Sequence, residues 1–282
     1  MKEVKLYLNN AGFCLAKESH AIKGGSNTDI KFSALYGLIY HEQQGWILFD
    51  TGYTKRFYKA TKYFPNKIYA LLTKVSIESN QEVKEQIRNF NLNCSDIKHV
   101  IISHFHADHI GGLKDFENAT FYCGRKAFIQ AKNINRYFGF TKGVLKSLIP
   151  DDIEKRLTFI EDIGKPLHDD IFNFKYDLFN DSSIFCYDLP GHAEGQIGIE
   201  LKTKKKKYFL IADACWSDKA YKNLILPNPI VRLFFSSWND YKATLKKIHL
   251  YYVNYPDVRI VPTHCTVTTE AIIPKSFDLN VL

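Results

Sequence analysis

The sequence predicts an α/β protein, in which strands and helices alternate along the chain. The first fifty residues contain three segments rich in β-branched and aromatic residues and punctuated by glycine, a composition typical of strands. Further along, short apolar runs alternate with segments whose apolar residues recur at helical spacing. This alternation indicates a layered architecture with helices packed on β-sheets.

The first half of the chain holds five predicted strands and two predicted helices. The strands are residues 4–8, 29–41, 45–50, 97–103 and 119–123. The helices are residues 79–90, where Ser79 and Glu82 stand at capping-box spacing, and residues 124–134. Residues 53–77 are aromatic and basic, and predict helical turns over the core or a lid.

The second half begins with a segment that is harder to interpret. Residues 132–182 mix short helical pieces with polar turns, and we expect an insertion around 124–182 that shapes a pocket. The elements that follow are strand-like runs at 183–192, 195–201 and 207–215, a helix at 238–252 and a last strand at 258–265. No stretch has the composition of a linker, so we expect residues 1–282 to form a single domain.

The composition is that of an ordinary globular protein, with 45% hydrophobic residues, 15 glycines and 9 prolines. No run approaches the ~18 apolar residues that are needed to cross a bilayer, and the N-terminus lacks the apolar core of a signal peptide. The six cysteines are scattered and form no C-x-x-C pair, so we expect reduced thiols. These features predict a soluble, cytoplasmic protein without a membrane partner.

The net charge of +8 would allow attraction to nucleic acid, anionic lipid or acidic substrates. Part of this charge lies in KTKKKKY, residues 202–208, between two predicted strands, where a solvated hairpin turn is the preferred interpretation. The sequence therefore disfavours a nucleic-acid partner without excluding one. It also leaves a homodimer open.

Residues 100–113, VIISHFHADHIGGL, place four polar side chains directly after an apolar run: His104, His106, Asp108 and His109. In extended backbone, residues two apart point to the same side, so His104 and His106 can reach one ion. Asp108 and His109 follow as the chain turns and project elsewhere, which predicts two adjacent metal ions. Without a metal, this cluster would bury polar groups that have no partners.

Three further candidates stand at equivalent positions. His192 follows a predicted strand and a Pro-Gly turn, Asp213 ends the apolar run FLIAD, and His264 ends the last strand in IVPTHC. All seven residues therefore lie at or just beyond the ends of predicted strands. A sheet can bring such distant segments together, so we expect one site built from four segments.

The ordered pattern H-x-H-x-D-H at 104–109, G-H at 191–192, Asp213 and His264 resembles the metallo-β-lactamase superfamily. The resemblance covers about the whole chain, including LFDTGY near the start. It implies an αββα sandwich, in which two mixed β-sheets are flanked by helices.

The resemblance also implies two divalent metal ions and their ligands. The first ion would take His104, His106 and His192, the second would take Asp108, His109 and His264, and Asp213 would bridge them. These ligands suit zinc, although iron or manganese would also fit. Asp50, in FDTG, resembles the early aspartate of the family, which orients a metal-binding histidine.

The activity implied by this site is that of a metal-dependent hydrolase. Two cations a few ångströms apart can share a water and lower its pKa toward roughly 7. The resulting bridging hydroxide would attack the carbonyl of a small-molecule substrate, and Asp108 would take up and return a proton. No G-x-S-x-G nucleophile elbow is present, and this chemistry needs none.

Within the superfamily, LYGLIYHEQQGWILFDTGY and SHFHADHIGGL are most similar to the N-acyl homoserine lactonase-like branch. This similarity implies a small ester, lactone or thioester substrate. In those lactonases, the bridging aspartate is followed three residues later by a tyrosine that contacts the substrate carbonyl. Here that position is Trp216, which we expect in the substrate pocket, and whose indole has an N–H donor but no hydroxyl.

Two other functions are compatible with part of this pattern. A metal-dependent phosphodiesterase or nuclease acting on RNA or a nucleotide, related to the tRNA 3′-processing enzymes, would suit the motif and the positive charge, but no RNA-docking insertion is evident. The other is a non-hydrolytic role, as an oxygen-reducing di-iron site or a degenerate sensor. His106 disfavours it, since the di-iron branch usually has a carboxylate there, and so does the complete ligand set.

Overall fold

A computed structural model describes residues 1–273 and shows two β-sheets packed face to face, with helices on both outer sides. The first sheet has seven strands, β1 (Lys5–Lys17), β2 (Asp29–His41), β3 (Gly45–Phe49), β4 (Lys74–Ser76), β5 (Ile97–Ile101), β6 (Thr120–Cys123) and β7 (Leu157–Phe159), in the order β4-β1-β2-β3-β5-β6-β7. The second sheet has six strands, β8 (Leu167–Asp169), β9 (Asn173–Asp177), β10 (Ile184–Asp188), β11 (Ile197–Lys202), β12 (Lys207–Ala212) and β13 (Val258–Pro262), in the order β13-β12-β11-β10-β9-β8.

Nine α-helices accompany the sheets in the part of the chain that the structure describes. They are α1 (Glu18–Ala21), α2 (Arg56–Ala60), α3 (Lys67–Leu72), α4 (Val83–Gln86), α5 (Ala107–Ile110), α6 (Arg125–Asn133), α7 (Asp218–Asn223), α8 (Trp238–Asn254) and α9 (Thr266–Ile272). Across residues 1–273, no helix combines the length and the apolar character that a membrane crossing requires.

Both sheets are mixed, as the resemblance to the metallo-β-lactamase superfamily implies. In the first sheet, β4, β1, β2 and β3 pair antiparallel, whereas β3, β5, β6 and β7 pair parallel. In the second sheet, β12 and β13 are parallel and the remaining pairs are antiparallel. The predicted αββα sandwich is confirmed.

Alternating side chains along the central strands explain how the layers pack. In β3, Ile47 and Phe49 point into the core between the two sheets, whereas Leu48 packs against the helical outer layer. In β12, Leu210 points into the same inner core, and Ile211 packs in the cluster that includes α8. Because both faces of these strands are buried, their sequences are nearly continuous apolar runs.

The prediction of one continuous helix over residues 79–90 is wrong. The segment consists of a 3₁₀ turn at Ser79–Gln81, helix α4 and a 3₁₀ turn at Ile87–Phe90. Glu82 interrupts it with extended backbone (φ −65°, ψ 141°), and its buried carboxylate accepts a hydrogen bond from the Lys55 backbone N–H at 2.8 Å. The capping box forms one residue earlier than predicted, between Glu78 and Gln81.

Residues 132–182 contain three strands that the sequence does not reveal. β7 extends one edge of the first sheet, and β8 and β9 extend one edge of the second. The expected helical pieces are 3₁₀ turns at Lys146–Leu148 and Ile153–Lys155. Strands of three to five residues are too short to show a recognisable period.

Candidate metal centre

Seven side chains from four segments meet at one edge of the sandwich. His104, His106, Asp108 and His109 follow β5 of the first sheet, whereas His192, Asp213 and His264 follow β10, β12 and β13 of the second. They form two groups, each with donor atoms within 4.8 Å of one another: His104, His106 and His192, and Asp108, His109, Asp213 and His264. The structure therefore brings together every ligand candidate that the sequence predicts.

The backbone after β5 explains how six residues can supply four of these side chains. The chain is still extended at His106 (φ −73°, ψ 155°), and α5 begins at the next residue. Thr51 holds the end of α5, since its Oγ1 donates to the His109 carbonyl at 2.9 Å. Gly111 allows the close packing that follows, because a Cβ there would lie 2.5 Å from the Gly52 carbonyl oxygen.

Asp213 lies between the two groups. Its Oδ2 is 3.3 Å from His192 Nε2 and 2.9 Å from His264 Nε2, and its Oδ1 is 3.4 Å from His109 Nε2. His192 Nε2 in turn lies 3.0 Å from His106 Nδ1. One carboxylate thus reaches donor atoms of both groups, which is the geometry that a bridging ligand requires.

Several of these buried donor atoms lack a hydrogen-bond partner, namely His104 Nε2, His109 Nε2 and Asp213 Oδ1. A buried polar atom left unpaired costs about 1–3 kcal/mol, so converging unpaired atoms require a further partner. Imidazole nitrogens and carboxylate oxygens are the donors that zinc and similar divalent cations accept. The residues present therefore fit a pair of divalent cations.

Asp50 and Ser103 form hydrogen bonds with the Nδ1 atoms of two of the histidines, His109 and His104. His109 Nδ1 donates to Asp50 Oδ2 at 2.7 Å, and the Ser103 backbone N–H and hydroxyl both donate to Asp50 at 2.8 Å. His104 Nδ1 lies 3.0 Å from the Ser103 hydroxyl. These contacts leave Nε2 of both rings directed at the site, and they set which nitrogen carries the proton.

Burial determines the protonation of the first group. It lowers the pKa of His104 well below its ordinary value, that of His106 to about 4 and that of His192 to about 3. All three imidazoles are therefore neutral at neutral pH, which is the form that coordinates a metal.

Opposite charges dominate the second group. Burial raises the pKa of Asp108 and Asp213, but the neighbouring histidines outweigh it and hold both values well below the usual range. Burial lowers the pKa of His264, but Asp213 and Asp108 raise it to about 10. Burial also lowers the pKa of His109, but the same carboxylates raise it well above its ordinary value. Without a metal, two protonated histidines therefore balance the two carboxylates, and a cation that binds here would displace protons from these rings.

Both groups open into a cavity of about 710 Å³. Its apolar walls include Leu15, Phe32, Leu72, Phe140, Val231 and Phe234. Trp216, expected in the substrate pocket, is one of the lining residues, and its indole N–H donates to Asp213 Oδ2 at 3.2 Å. Its ring also packs edge-on to His192, with the ring centroids 5.5 Å apart.

Several residues that support the site leave no recognisable signal in the sequence. The Phe32 ring stacks on His264 at 4.9 Å, and the carbonyl of Ser33 accepts a hydrogen bond from His264 Nδ1 at 2.9 Å. Gly143 (φ +69°) packs against His106, where a Cβ would lie 2.5 Å from the ring. These residues reach the site through tertiary contacts, which no local sequence pattern shows. Ser103 differs from them, because it directly precedes His104 in the sequence.

Asp50→Asn is expected to weaken divalent-metal binding, measured with added zinc, by about 10–100-fold while keeping the fold. The amide would present a donor to His109 Nδ1, so the proton of that ring would be driven to Nε2, the nitrogen directed at the site. Competition with a chromophoric chelator measures the affinity, and circular dichroism checks the fold. Asp115→Asn, at an aspartate that pairs with Arg56 away from the site, is the matched control. Unchanged zinc affinity in Asp50→Asn would contradict the assigned role.

The fold and the paired donor groups define an αββα protein with a two-part His/Asp centre. The chain belongs to the metallo-beta-lactamase superfamily, whose sequence profile matches residues 31–264.

Curated relatives include proteins named as lactonases. The N-acyl homoserine lactonase AttM of Rhizobium radiobacter is 24% identical over 192 residues, covering 67% of this chain and 65% of the relative. The protein of the same name from Azorhizobium caulinodans is 23% identical over 257 residues, covering 88% of each chain. The match to the Rhizobium relative therefore spans less than two thirds of that protein's length.

Solved structures with the same fold include an N-acyl homoserine lactone hydrolase with the product N-hexanoyl-L-homoserine bound at its catalytic metal centre. It superposes with a TM-score of 0.76 at 17% identity, covering 96% of this chain and 97% of that chain. AidC, a dizinc quorum-quenching lactonase, superposes with a TM-score of 0.65 at 18% identity, covering 94% and 90%. At these identities the similarity establishes the fold.

Proposed function

We propose that this protein is a dinuclear metal-dependent hydrolase that acts on a small ester, lactone or thioester. The observation that carries the proposal is the pair of buried donor groups with Asp213 between them. A lactone is the preferred substrate, and support for it comes from relatives named as lactonases and from the similar fold of a hydrolase that holds N-hexanoyl-L-homoserine. These relatives give no support to the phosphodiesterase alternative.

Each donor group would hold one cation. His104, His106 and His192 would hold the first, Asp108, His109 and His264 would hold the second, and Asp213 would contact both. We propose zinc, supported by the imidazole and carboxylate donors and by the similarity to a dizinc lactonase. When bound, such a pair supplies hydroxide at neutral pH and Lewis-acid stabilisation of the oxygen that gains charge.

Asp108 and Trp216 have separate roles in this proposal. The carboxylate of Asp108 lines the cavity, within reach of a bound substrate, so it can accept a proton and return it to the leaving oxygen. The indole N–H of Trp216 is already engaged by Asp213. We therefore assign Trp216 to shaping the pocket wall rather than to contacting the substrate carbonyl.

We also propose a single domain in which segment 124–182 shapes the pocket. This is supported by Phe140, Thr141 and Gly143, which lie in that segment and line the cavity. A cytoplasmic location is proposed as well, supported by six free cysteines, five of them buried, which suit a reducing compartment.

The proposed function is tested with purified protein of measured metal content. We expect two metal equivalents per chain and hydrolysis of N-acyl homoserine lactones in a panel that also contains a thioester and bis-nitrophenyl phosphate. Turnover of the phosphodiester alone would overturn the proposal in favour of a phosphodiesterase.

The apolar cavity predicts a preference for longer acyl chains. For N-acyl lactones, kcat/KM is expected to rise about fourfold per methylene while the chain stays within the cavity. Phe140→Ala should flatten this dependence, raising KM for the longest chains about tenfold with unchanged metal content. Steady-state kinetics over a chain-length series measures both effects. Phe174→Ala, at an exposed phenylalanine of β9, should behave as wild type, and a flat wild-type series would refute the prediction.

A further inference from the structure

Three segments of the chain pass the cavity and supply part of its lining: residues 53–74, 134–149 and 224–238. Each contributes to the cavity lining, for example through Leu72, Phe140 and Leu233. We call these three segments the cavity rim. Further lining comes from β1, α1 and β2.

The cavity rim carries most of the exposed large hydrophobic side chains of the described chain. Of the eighteen such side chains in residues 1–273, eleven lie in the rim, although the rim is a small part of the chain. The most exposed are Leu233 (76%), Tyr63 (70%), Phe64 (68%) and Leu72 (67%). Exposed apolar side chains concentrated in the segments that line one cavity indicate an interaction surface.

The positive charge of the protein is concentrated in the same rim. Its three segments contain six, three and one Lys or Arg residues and no Asp or Glu, whereas the whole chain carries +8. The remainder of the chain is therefore slightly negative. One of these rim cations, Arg56, is paired with Asp115, and Asp29, which lines the cavity, is paired with Lys17 outside the rim.

Cations and exposed rings are interleaved along the rim. Lys62 Nζ lies 5.1 Å from the centroid of the Tyr63 ring, and Lys67 Nζ lies 5.7 Å from that of Phe64. This combination is typical of surfaces that enter the boundary between lipid headgroups and acyl chains. Apolar and aromatic side chains bury there, and Lys and Arg attract anionic headgroups.

We propose that the cavity rim docks on the surface of anionic lipid bilayers, so that the cavity mouth faces the lipid. A second copy of the chain fits this surface poorly, because a two-fold contact would place two sets of unbalanced cations together. Single-stranded RNA would stack on the rings, but it would leave the aliphatic Leu71, Leu72 and Leu233 exposed. An anionic bilayer meets both requirements, because its headgroups pair with the cations and its acyl chains cover the apolar side chains.

This proposal departs from the sequence-based expectation of no membrane partner. That expectation rested on the lack of a spanning run and of a signal-peptide core, and neither criterion detects a peripheral surface. The rim is assembled from three distant segments, so no local window of sequence reveals it. Docking needs no metal, and it can be tested apart from the proposed hydrolase.

The test is co-sedimentation with vesicles of equal parts phosphatidylcholine and phosphatidylglycerol, and with vesicles of phosphatidylcholine alone. We expect the wild type to bind the anionic vesicles about tenfold more tightly, with binding that weakens as salt rises. The double variant Phe64→Ser/Leu71→Ser should bind both vesicles at least about tenfold more weakly. Lys62→Gln/Lys67→Gln should lose about tenfold on anionic vesicles only.

Two matched controls separate the rim from general surface effects. Leu250→Ser/Val253→Ser removes comparably exposed side chains from α8, and Lys204→Gln/Lys205→Gln removes two lysines from the turn between β11 and β12. Both should bind vesicles as the wild type does.

Three results would overturn the proposal. The first is no binding to either vesicle, and the second is binding that only the Lys204/Lys205 variant loses. The third is a dimer or an RNA complex, measured by light scattering or gel shift, that the rim substitutions abolish while vesicle binding persists.

Discussion

Replacing Asp108 or His106 by alanine is expected to lower the proposed lactone turnover by roughly 10²–10⁴-fold while the fold is kept. Asp108 lines the cavity 3.3 Å from His264 Nε2, so its loss removes both a metal ligand and the proposed proton acceptor. His106 Nδ1 faces His192 Nε2 at 3.0 Å, so its loss opens the first donor group. Neither side chain belongs to a hydrophobic cluster, and the core should stay packed.

Steady-state kinetics and circular dichroism on the purified variants test this expectation. Asp170→Ala, at an exposed aspartate outside the site, is the control and should keep wild-type activity. Full activity in either site variant would show that the assigned mechanism is wrong.

Removal of the metals is expected to destabilise the protein strongly. Cations that bind only the folded state stabilise it by about 4 kcal/mol when the free metal exceeds Kd about 1,000-fold. For a chain of this length that corresponds to a fall in Tm of about 10 °C on chelation. The physical reason is the cluster of unpaired donors and buried carboxylates, which the cations would satisfy.

Differential scanning calorimetry with and without a chelator, and after zinc is restored, measures this effect. His109→Ala should abolish most of the chelator response, because His109 Nε2 is one of the unpaired donors. His99→Ala, at a partly buried histidine of β5 outside the two groups, should retain it. A wild-type Tm that chelation leaves unchanged, with metal loss verified by elemental analysis, would contradict the proposed centre.

The sequence was most informative where polar residues follow apolar strands. His104 to His109 interrupt a buried run, and His192, Asp213 and His264 each end one, so their convergence followed from strand order. The residues that orient them were harder to find. Ser33 contributes a backbone carbonyl and Gly143 only the absence of a side chain, and neither property depends on a recognisable local pattern.

The sequence predicted the long central strands of the fold but not its short or tertiary-dependent elements. The central strands are long and buried, and β2 spans residues 29–41 as predicted. The helix predicted over 79–90 failed because the carboxylate of Glu82 binds the distant backbone of Lys55, a tertiary contact that outweighs local helix propensity. The edge strands β7 to β9 were missed because they are short.

The ligand candidates come from both sheets: those after β5 belong to one, and those after β10, β12 and β13 to the other. Bound metal ions would therefore cross-link the two sheets at this edge, much as a disulfide joins two segments. Parting of the sheets there and escape of the cations would then be a single event. The dissociation rate of the bound metals would therefore measure how often the two sheets separate at this edge.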